Sequence, residues 1–524
     1  MRRFLTWLLI LVATSPLASV RAQTAAERAD ALTEFRRFFK KFKTLEEQTE
    51  AIRTLEGMES PAACEELLSL LDHKSAEIGV VARNVLATFR DPASWSTPIA
   101  SLEQEKNQSR RAAIIELLGR AGIRDAMPLV LRIANEDSKA TTEVRFAVAK
   151  AVRACGFTDG VDPLLERLLG DSDALVRMGA AEAIGELRRK DLGEALVSRL
   201  GDAAWQVQLA VVQAIASIRE PAAVPGLIEL MEKGGRLEED TAEALFRITG
   251  LDFGRDVTAW RENWDRLSRV PGWRIPTDEE LEQRAASRKK YDALYGKGQT
   301  DTTSFGGIET SSERILFIID VSGSMSDLVV EREKFDTGYA NFQKLTIVKA
   351  EMARTIDALG ANVFFNIAAF ATDVKSWKPG LVPANVVNRA SAKAWVGKLE
   401  AIGGAEAQEL AGAGLVGSAN LAAGKTNTHA ALVYPFGIDP KDPNGEQKAQ
   451  DKAMRNNVDT VFFLSDGRPS TGRHTDTARI LDVVRRANER FRIVFHTLAI
   501  GEFDRNFMRT LAEESGGVFV DLGR

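Results

Sequence analysis

Cysteine is almost absent from this chain: Cys64 and Cys155 are the only two in 524 residues, and neither lies in a CxxC pair or beside a histidine. That excludes a disulfide framework, a cysteine-based zinc site and a paired-thiol redox centre. The two cysteines fall in what is read below as different repeats of a rod, where Cα atoms rarely approach within about 7 Å, so two buried thiols are expected rather than a bridge. Histidine is scarce as well. His73, His429, His474 and His496 are scattered, with no HExxH and no close pair, and His429 reads as a surface or helix-capping residue. No GxSxG elbow accompanies a Ser and His pair, so nucleophilic hydrolysis lacks its parts and no catalytic residue is assigned. Neither sign of charge dominates. With 69 Lys and Arg against 74 Asp and Glu, a formal charge of -5 gives no nucleic-acid footprint and no acidic tail.

The one conspicuous apolar run is at the start. Arg2 and Arg3 precede the apolar stretch Phe4 to Thr14, and Val20 and Ala22 supply the small residues of a cleavage site. The run is shorter than the roughly 20 residues that span a bilayer, and no later segment reaches that length. Residues 1–22 therefore read as a signal peptide cleaved after Ala22, which implies a secreted or periplasmic protein with no stable membrane span after cleavage.

The remaining length suits two or three units. Residues 24–58 read as a helical lead-in with Leu32, Phe35, Phe38, Phe39, Phe42 and Leu45 on one apolar face. From there the chain repeats itself. Leu169, Gly170, Asp171, Val176, Ala181 and Ile184 recur as Leu200, Gly201, Asp202, Val207, Val212 and Ile215, each pair 31 apart, with looser copies carrying Leu86, Leu118, Val152 and Leu245 at the place of Ile184. Each unit reads as a helix, a polar turn and a second helix rich in Ala and Val, which must stack on its neighbours to cover its apolar faces. Residues 60–265 thus form an all-α solenoid of about five or six repeats, which resembles the short HEAT-like repeats. Residues 266–311 read as a linker, with a charged helix over Thr277–Tyr295 and an edge strand near Phe305.

Over 312–524 the rhythm changes to short apolar runs separated by amphipathic helices. Strands are expected at Ile315–Ile319, Val363–Phe370, Val461–Leu464, Ile493–Ile500 and Val518–Val520, with helices carrying Leu345 to Leu359 and Ile480 to Ala487 between them. That alternation implies an α/β domain of Rossmann-like layout, a mostly parallel sheet with helices on both faces, whose ligands sit beyond the strand C-terminal ends.

The chemistry gathers at those ends. IDVSGSM closes the first strand with Asp320, Ser322 and Ser324 around Gly323; GKTNTHAAL offers Thr426 at the start of a helix; FFLSDGRPS closes a later strand with Asp466. Carboxylates and hydroxyls converging on one rim suit a hard cation. Residues 419–426, ANLAAGKT, also fit a loose phosphate-loop pattern, but GAGLVGS before them is no buried strand, which makes an NTPase the alternative reading. A purely structural scaffold is another.

DxSxS, the TNT run and LSDG together resemble the metal-ion-dependent adhesion site of von Willebrand factor type A (VWA) domains. The resemblance implies that Ser322, Ser324 and Thr426 contact a divalent ion, Mg2+ or alternatively Ca2+ or Mn2+, and that Asp320 and Asp466 act largely through water. It implies a non-enzymatic adaptor, with one coordination position open to the carboxylate of a protein partner. Relative to a compact domain of that family, 325–343 and 405–423 are insertions bordering the rim, and 439–457 is a further polar loop.

Overall fold

The computed structural model describes residues 24–136, 139–295, 303–329, 332, 339–403, 424–442, 458–501 and 503–522. The expected signal peptide lies outside these residues, as do 405–423, most of 439–457 and part of 325–343. The chain falls into two compact units, one ending at Ala126 and the other beginning at Met127.

In the first unit the lead-in forms α1 (Ala25–Lys41) and α2 (Leu45–Arg53), each opened by a capping box, Thr24 with Glu27 and Thr44 with Glu47. Two helix pairs follow, α3 (Pro61–Leu68) with α4 (Ala76–Leu86) and α5 (Pro92–Gln104) with α6 (Gln108–Arg120). Leu86 and Leu118, read as equivalent repeat positions, are both fully buried. Cys64 is buried in α3, and burial pushes its thiol up to about 12.

The second unit opens with four more pairs: α7 (Met127–Glu136) with α8 (Thr142–Ala154), α9 (Asp162–Leu169) with α10 (Ala174–Glu186), α11 (Gly193–Val197) with α12 (Trp205–Ile218), and α13 (Val224–Glu232) with α14 (Glu238–Thr249). Val152, Ile184, Ile215 and Leu245 occupy the same place in successive pairs and are all fully buried. A polar rung repeats with them. Arg145 donates to both oxygens of Asp171 at 2.7 and 3.1 Å, and Arg177 does the same to Asp202 at 2.7 and 2.8 Å. Cys155, at the end of α8, forms no disulfide with Cys64 and is only half-buried, which corrects the expectation of two buried thiols.

Helices α10 and α12 approach so closely that a Cβ on Gly185 would stand 2.7 Å from the Ala214 Cα and 2.9 Å from its Cβ. Gly185→Ala is therefore expected to destabilise the protein by about 1–3 kcal/mol through overpacking. That is the reverse of the gain of about 1 kcal/mol that helix propensity alone would give. Thermal unfolding of the full chain reads the sign, and a stabilised variant would mean that these helices part at little cost.

Beyond the repeats, α15 (Val257–Leu267) packs on α13, with Trp260 edge-to-face on Phe253 at 5.0 Å. The connector helix α16 (Asp278–Tyr295) is not a loose tether. Arg219 donates to the Pro276 carbonyl at 2.9 Å and pairs with Asp278, and Arg284 donates to the Gly250 carbonyl at 2.7 Å.

Strands β1 (Thr303–Phe305) and β2 (Ile308–Thr310) form a separate antiparallel hairpin, turned by Gly306 and Gly307 at φ 58° and 82°. The expected edge strand near Phe305 is thus no edge of the main sheet. Phe305 is buried edge-to-face against Phe317 and Phe462 at 5.5 and 5.7 Å, so apolar packing of the α/β domain begins upstream of Ser312.

The rest alternates: β3 (Arg314–Asp320), α17 (Lys344–Ala358), β4 (Phe364–Phe370), β5 (Val374–Ser376), β6 (Val382–Pro383), α18 (Val386–Gly397), α19 (Thr428–Val433), β7 (Thr460–Ser465), α20 (Thr477–Phe491), β8 (Val494–Ala499), α21 (Arg505–Glu514) and β9 (Phe519–Asp521). The strand order is β5-β4-β3-β7-β8-β9. The path from β4 to β9 is parallel throughout, and β5 and β6 pair antiparallel with β4 at the edge. Alternation along β3 divides the core. Ile315, Phe317 and Ile319 join α17 and α18 on one face, while Leu316 and Ile318 join α20 and α21 on the other.

The helical repeats of this unit meet the sheet domain near the N-terminal ends of its strands. Lys150 donates to Glu489 at 2.7 Å, Arg492 pairs with Glu182, and a Cβ on Gly234 would lie 3.9 Å from Glu313. Between them is a cavity of about 520 Å³ lined by residues including Gln213, Arg236 and Glu243 on one side and Arg485, Asn488 and Glu514 on the other. The C-terminal ends of β3 and β7 lie at the opposite end of the sheet.

Candidate metal centre

Strands β3 and β7 are parallel neighbours with Ile319 opposite Leu464, so Asp320 and Asp466 leave the sheet side by side. Asp320 is fully buried. Its two oxygens accept from the Ser465 hydroxyl at 2.6 Å and from the Ser322 backbone N–H at 2.8 Å. The chain then turns through a short 3₁₀ segment, Gly323–Ser326, which brings the Ser322 and Ser324 hydroxyls within 3.3 Å of each other. Ser324 donates to Asp466 at 2.9 Å.

Thr426 reaches the same rim from a different segment. The Gly323 N–H donates to the Gly424 carbonyl at 3.0 Å, the Asn427 N–H to the Ala371 carbonyl at 2.9 Å, and Asn427 caps α19 through the Ala430 N–H. Ser470 holds Thr426 from the other side. Its hydroxyl accepts the Thr426 N–H at 2.9 Å, and its own N–H donates to the Thr426 carbonyl at 2.9 Å. All five expected positions are thereby brought together, and Thr426, buried like Asp320, stays in place despite the insertion before it.

Whether these residues suit a cation is tested at Gly467. A Cβ there would stand 3.5 Å from the Thr426 hydroxyl and 3.8 Å from that of Ser324, so glycine keeps open a hollow rimmed by hydroxyl oxygens. The donor set is two carboxylates and three hydroxyls. Among the described residues no cluster of three or more His, Cys, Asp or Glu side chains forms. Such a set fits a hard, small cation that retains water, and does not fit zinc or copper.

Charge at the rim is costly. Burial pushes the Asp320 carboxyl well above its ordinary range, and the neighbouring Asp466 charge adds to this against the opposing bonds from Ser465 and Ser322. Burial raises Asp466 too, opposed by the Lys344 ammonium, which lies 2.7 Å from its second oxygen. A divalent ion between the two carboxylates would relieve this repulsion.

His429 differs from the sequence expectation. It is buried inside α19, neither on the surface nor capping, and it meets His474 edge-to-face at 4.9 Å, so two histidines 45 apart in sequence do pair. Burial first, then His474 and Arg473, lower it to about 4. Of the phosphate-loop pattern, 419–423 lie outside the described residues. In the remainder Lys425 is exposed and the helix that follows has only six residues.

Two family models match the chain: HEAT repeats over 161–245, and the von Willebrand factor type A domain over 335–414 and 416–521. The chain carries a VWA domain behind HEAT-like helices. The matched stretches of the VWA domain include Thr426 and Asp466 but begin downstream of Asp320, Ser322 and Ser324. Curated relatives include human inter-alpha-trypsin inhibitor heavy chain H4, 25% identical over 214 residues, covering 40% of this chain and 18% of that one. Human heavy chain H6 is 29% identical over 214 residues, covering 40% and 13%. The matches thus span less than a fifth of those relatives. A solved von Willebrand factor type A structure from Catenulispora acidiphila is 20% identical, with a TM-score of 0.28, covering 41% of this chain and 39% of that one.

Three residues of the VWA rim were not assigned roles from sequence. Ser465 stands in the LSDG run just before Asp466 and was legible there as a strand-end hydroxyl. Ser470 and Lys344 carry no local signal, since only the fold brings them to Thr426 and Asp466.

Proposed function

We propose that this protein is an exported, non-enzymatic adaptor whose VWA domain binds Mg2+, with Ca2+ or Mn2+ as alternatives, and uses it to take an acidic side chain of a protein partner. A VWA domain itself points to a protein-interaction role. The observation that carries the metal reading is the hollow at Gly467, with the Thr426 and Ser324 hydroxyls on its rim and two buried carboxylates behind. Ser322, Ser324 and Thr426 would hold the ion directly, and Asp320 and Asp466 would supply the neutralising charge. When bound, the ion supplies a Lewis-acidic position for a carboxylate oxygen. Lys425 and Arg468, next in sequence to Thr426 and Gly467, are exposed and favour an acidic visitor.

Export rests on the apolar leader of residues 1–22, and no helix among the described residues is long and apolar enough to cross a membrane. The HEAT-like repeats of the second unit, joined to the far end of the sheet, offer a second contact surface.

Calorimetric titration of the full chain with magnesium chloride tests the metal reading. The wild type is expected to bind one ion, and Thr426→Ala to weaken it by about tenfold or more, as loss of a group supporting a metal does. Absence of binding in the wild type would reduce the domain to a scaffold.

A further inference from the structure

Lys344 is placed where an ammonium should not be. It is the first residue of α17, so its side chain starts from the positive end of the helix dipole, and it is buried, with 9% of its side chain exposed. Room has been left for it. A Cβ on Gly501, just beyond β8, would stand 2.7 Å from the Lys344 Cε and 3.0 Å from its Nζ. What compensates burial is Asp466, whose Oδ2 accepts from Nζ at 2.7 Å while its Oδ1 accepts from Ser324. The Lys344 N–H also donates to the Asp327 carbonyl at 3.0 Å, which ties the start of α17 to the end of the Ser322–Ser326 turn.

We propose that Lys344 is a fixed counter-ion of the metal centre: it holds Asp466 in the metal-free protein and remains in place on loading, so that the loaded centre keeps an excess positive charge that selects an anionic partner group. This rests on the metal reading above. Two ionised carboxylates and one ammonium sum to -1, so a divalent ion brings the buried set to +1, where without Lys344 it would be neutral. A neutral centre attracts a carboxylate only through the ion's own short-range field, whereas a net positive charge adds an attraction that favours an anion over water more strongly. The cost is affinity for the ion itself, because ammonium and metal repel at short range through poorly screened protein. The centre therefore gives up metal affinity in return for discrimination of its partner's charge.

The test uses the full chain, with Lys344→Met and Lys344→Arg, and magnesium alone as the probe, reading calorimetric affinity and thermal unfolding with and without the ion. Lys344→Met is expected to bind magnesium about tenfold or more tightly than wild type and to unfold at lower temperature without metal. Lys344→Arg keeps the charge and is expected to stay near wild type in affinity. Should Lys344→Met fold only in magnesium, the concentration that restores folding reads the same affinity. Equal or weaker binding by Lys344→Met, with wild type binding normally, overturns the counter-ion and leaves the metal site standing. No binding by wild type or either variant removes both.

Discussion

Asp320→Ala is expected to abolish magnesium binding, by about a hundredfold or more in affinity, while leaving the metal-free protein about as stable as the wild type. The two halves of that result come from the same fact. Asp320 is a fully buried carboxyl at the end of the central strand, next to Asp466, and both burial and the neighbouring charge hold it above its ordinary pKa. An ionised group in that position destabilises the metal-free fold, so deleting it removes a penalty. Against this, the Ser465 hydroxyl and the Ser322 N–H lose their acceptor, at about 1–3 kcal/mol for buried donors left unpaired. The two effects oppose each other, and the metal-free melting temperature should move little. With magnesium the difference opens, since a ligand at a hundred times its dissociation constant stabilises by about 2.7 kcal/mol, and a variant weakened a hundredfold receives at most about 0.4 kcal/mol of it. Melting curves across a magnesium series read both halves together. A variant that gains as much stability from magnesium as the wild type would place the ion elsewhere.

How far the sequence carried this depended on whether a signal was local. The repeat was legible because one apolar position recurs with the period of the helix pair, and Leu86, Leu118, Val152, Ile184, Ile215 and Leu245 all proved fully buried. The parallel strands were legible because buried strands are runs of Val, Ile, Leu and Phe. Strands β5 and β6, of three and two residues, are too short to show any period and were missed. Phe305 was misplaced at a sheet edge because a short hairpin and an edge strand look alike in one dimension. The site divides in the same way. Asp320, Ser322 and Ser324 lie within five residues and announce themselves, whereas the pairing of Lys344 with Asp466 spans 122 residues and that of His429 with His474 spans 45. Both pairs depend on the course of the chain through the whole domain, and a lysine opening a helix carries no mark of its burial.

At the other end of β7 stands a second buried aspartate, and Asp459→Asn is expected to gain stability relative to the wild type on going from about pH 4 to pH 8. Asp459 is buried beside β3. Its carboxylate accepts from the Ser312 hydroxyl, its N–H donates to the Arg314 carbonyl at 3.2 Å and its carbonyl accepts from Val494. Burial pushes the carboxyl up to about 6, and the bond from Ser312 and the charges of Arg236 and Arg314 do not offset it. In the unfolded chain the same group titrates near 3.9. Between those values the folded protein holds a proton that the unfolded chain has released, so stability falls as pH rises through the window, and the loss is complete above about pH 6. Two units correspond to about 3 kcal/mol at most. Asparagine keeps the shape, leaves Ser312 an acceptor and carries no charge at any pH. The variant should therefore match the wild type near pH 4 and exceed it by about 2–3 kcal/mol at pH 8, read as the difference between their denaturation curves at each pH. Wild-type and variant curves that stay parallel from pH 4 to 8 would mean that Asp459 ionises in the fold without penalty. Since β7 spans six residues, about 20 Å at 3.3 Å per residue, magnesium affinity at pH 8 should be the same in both proteins.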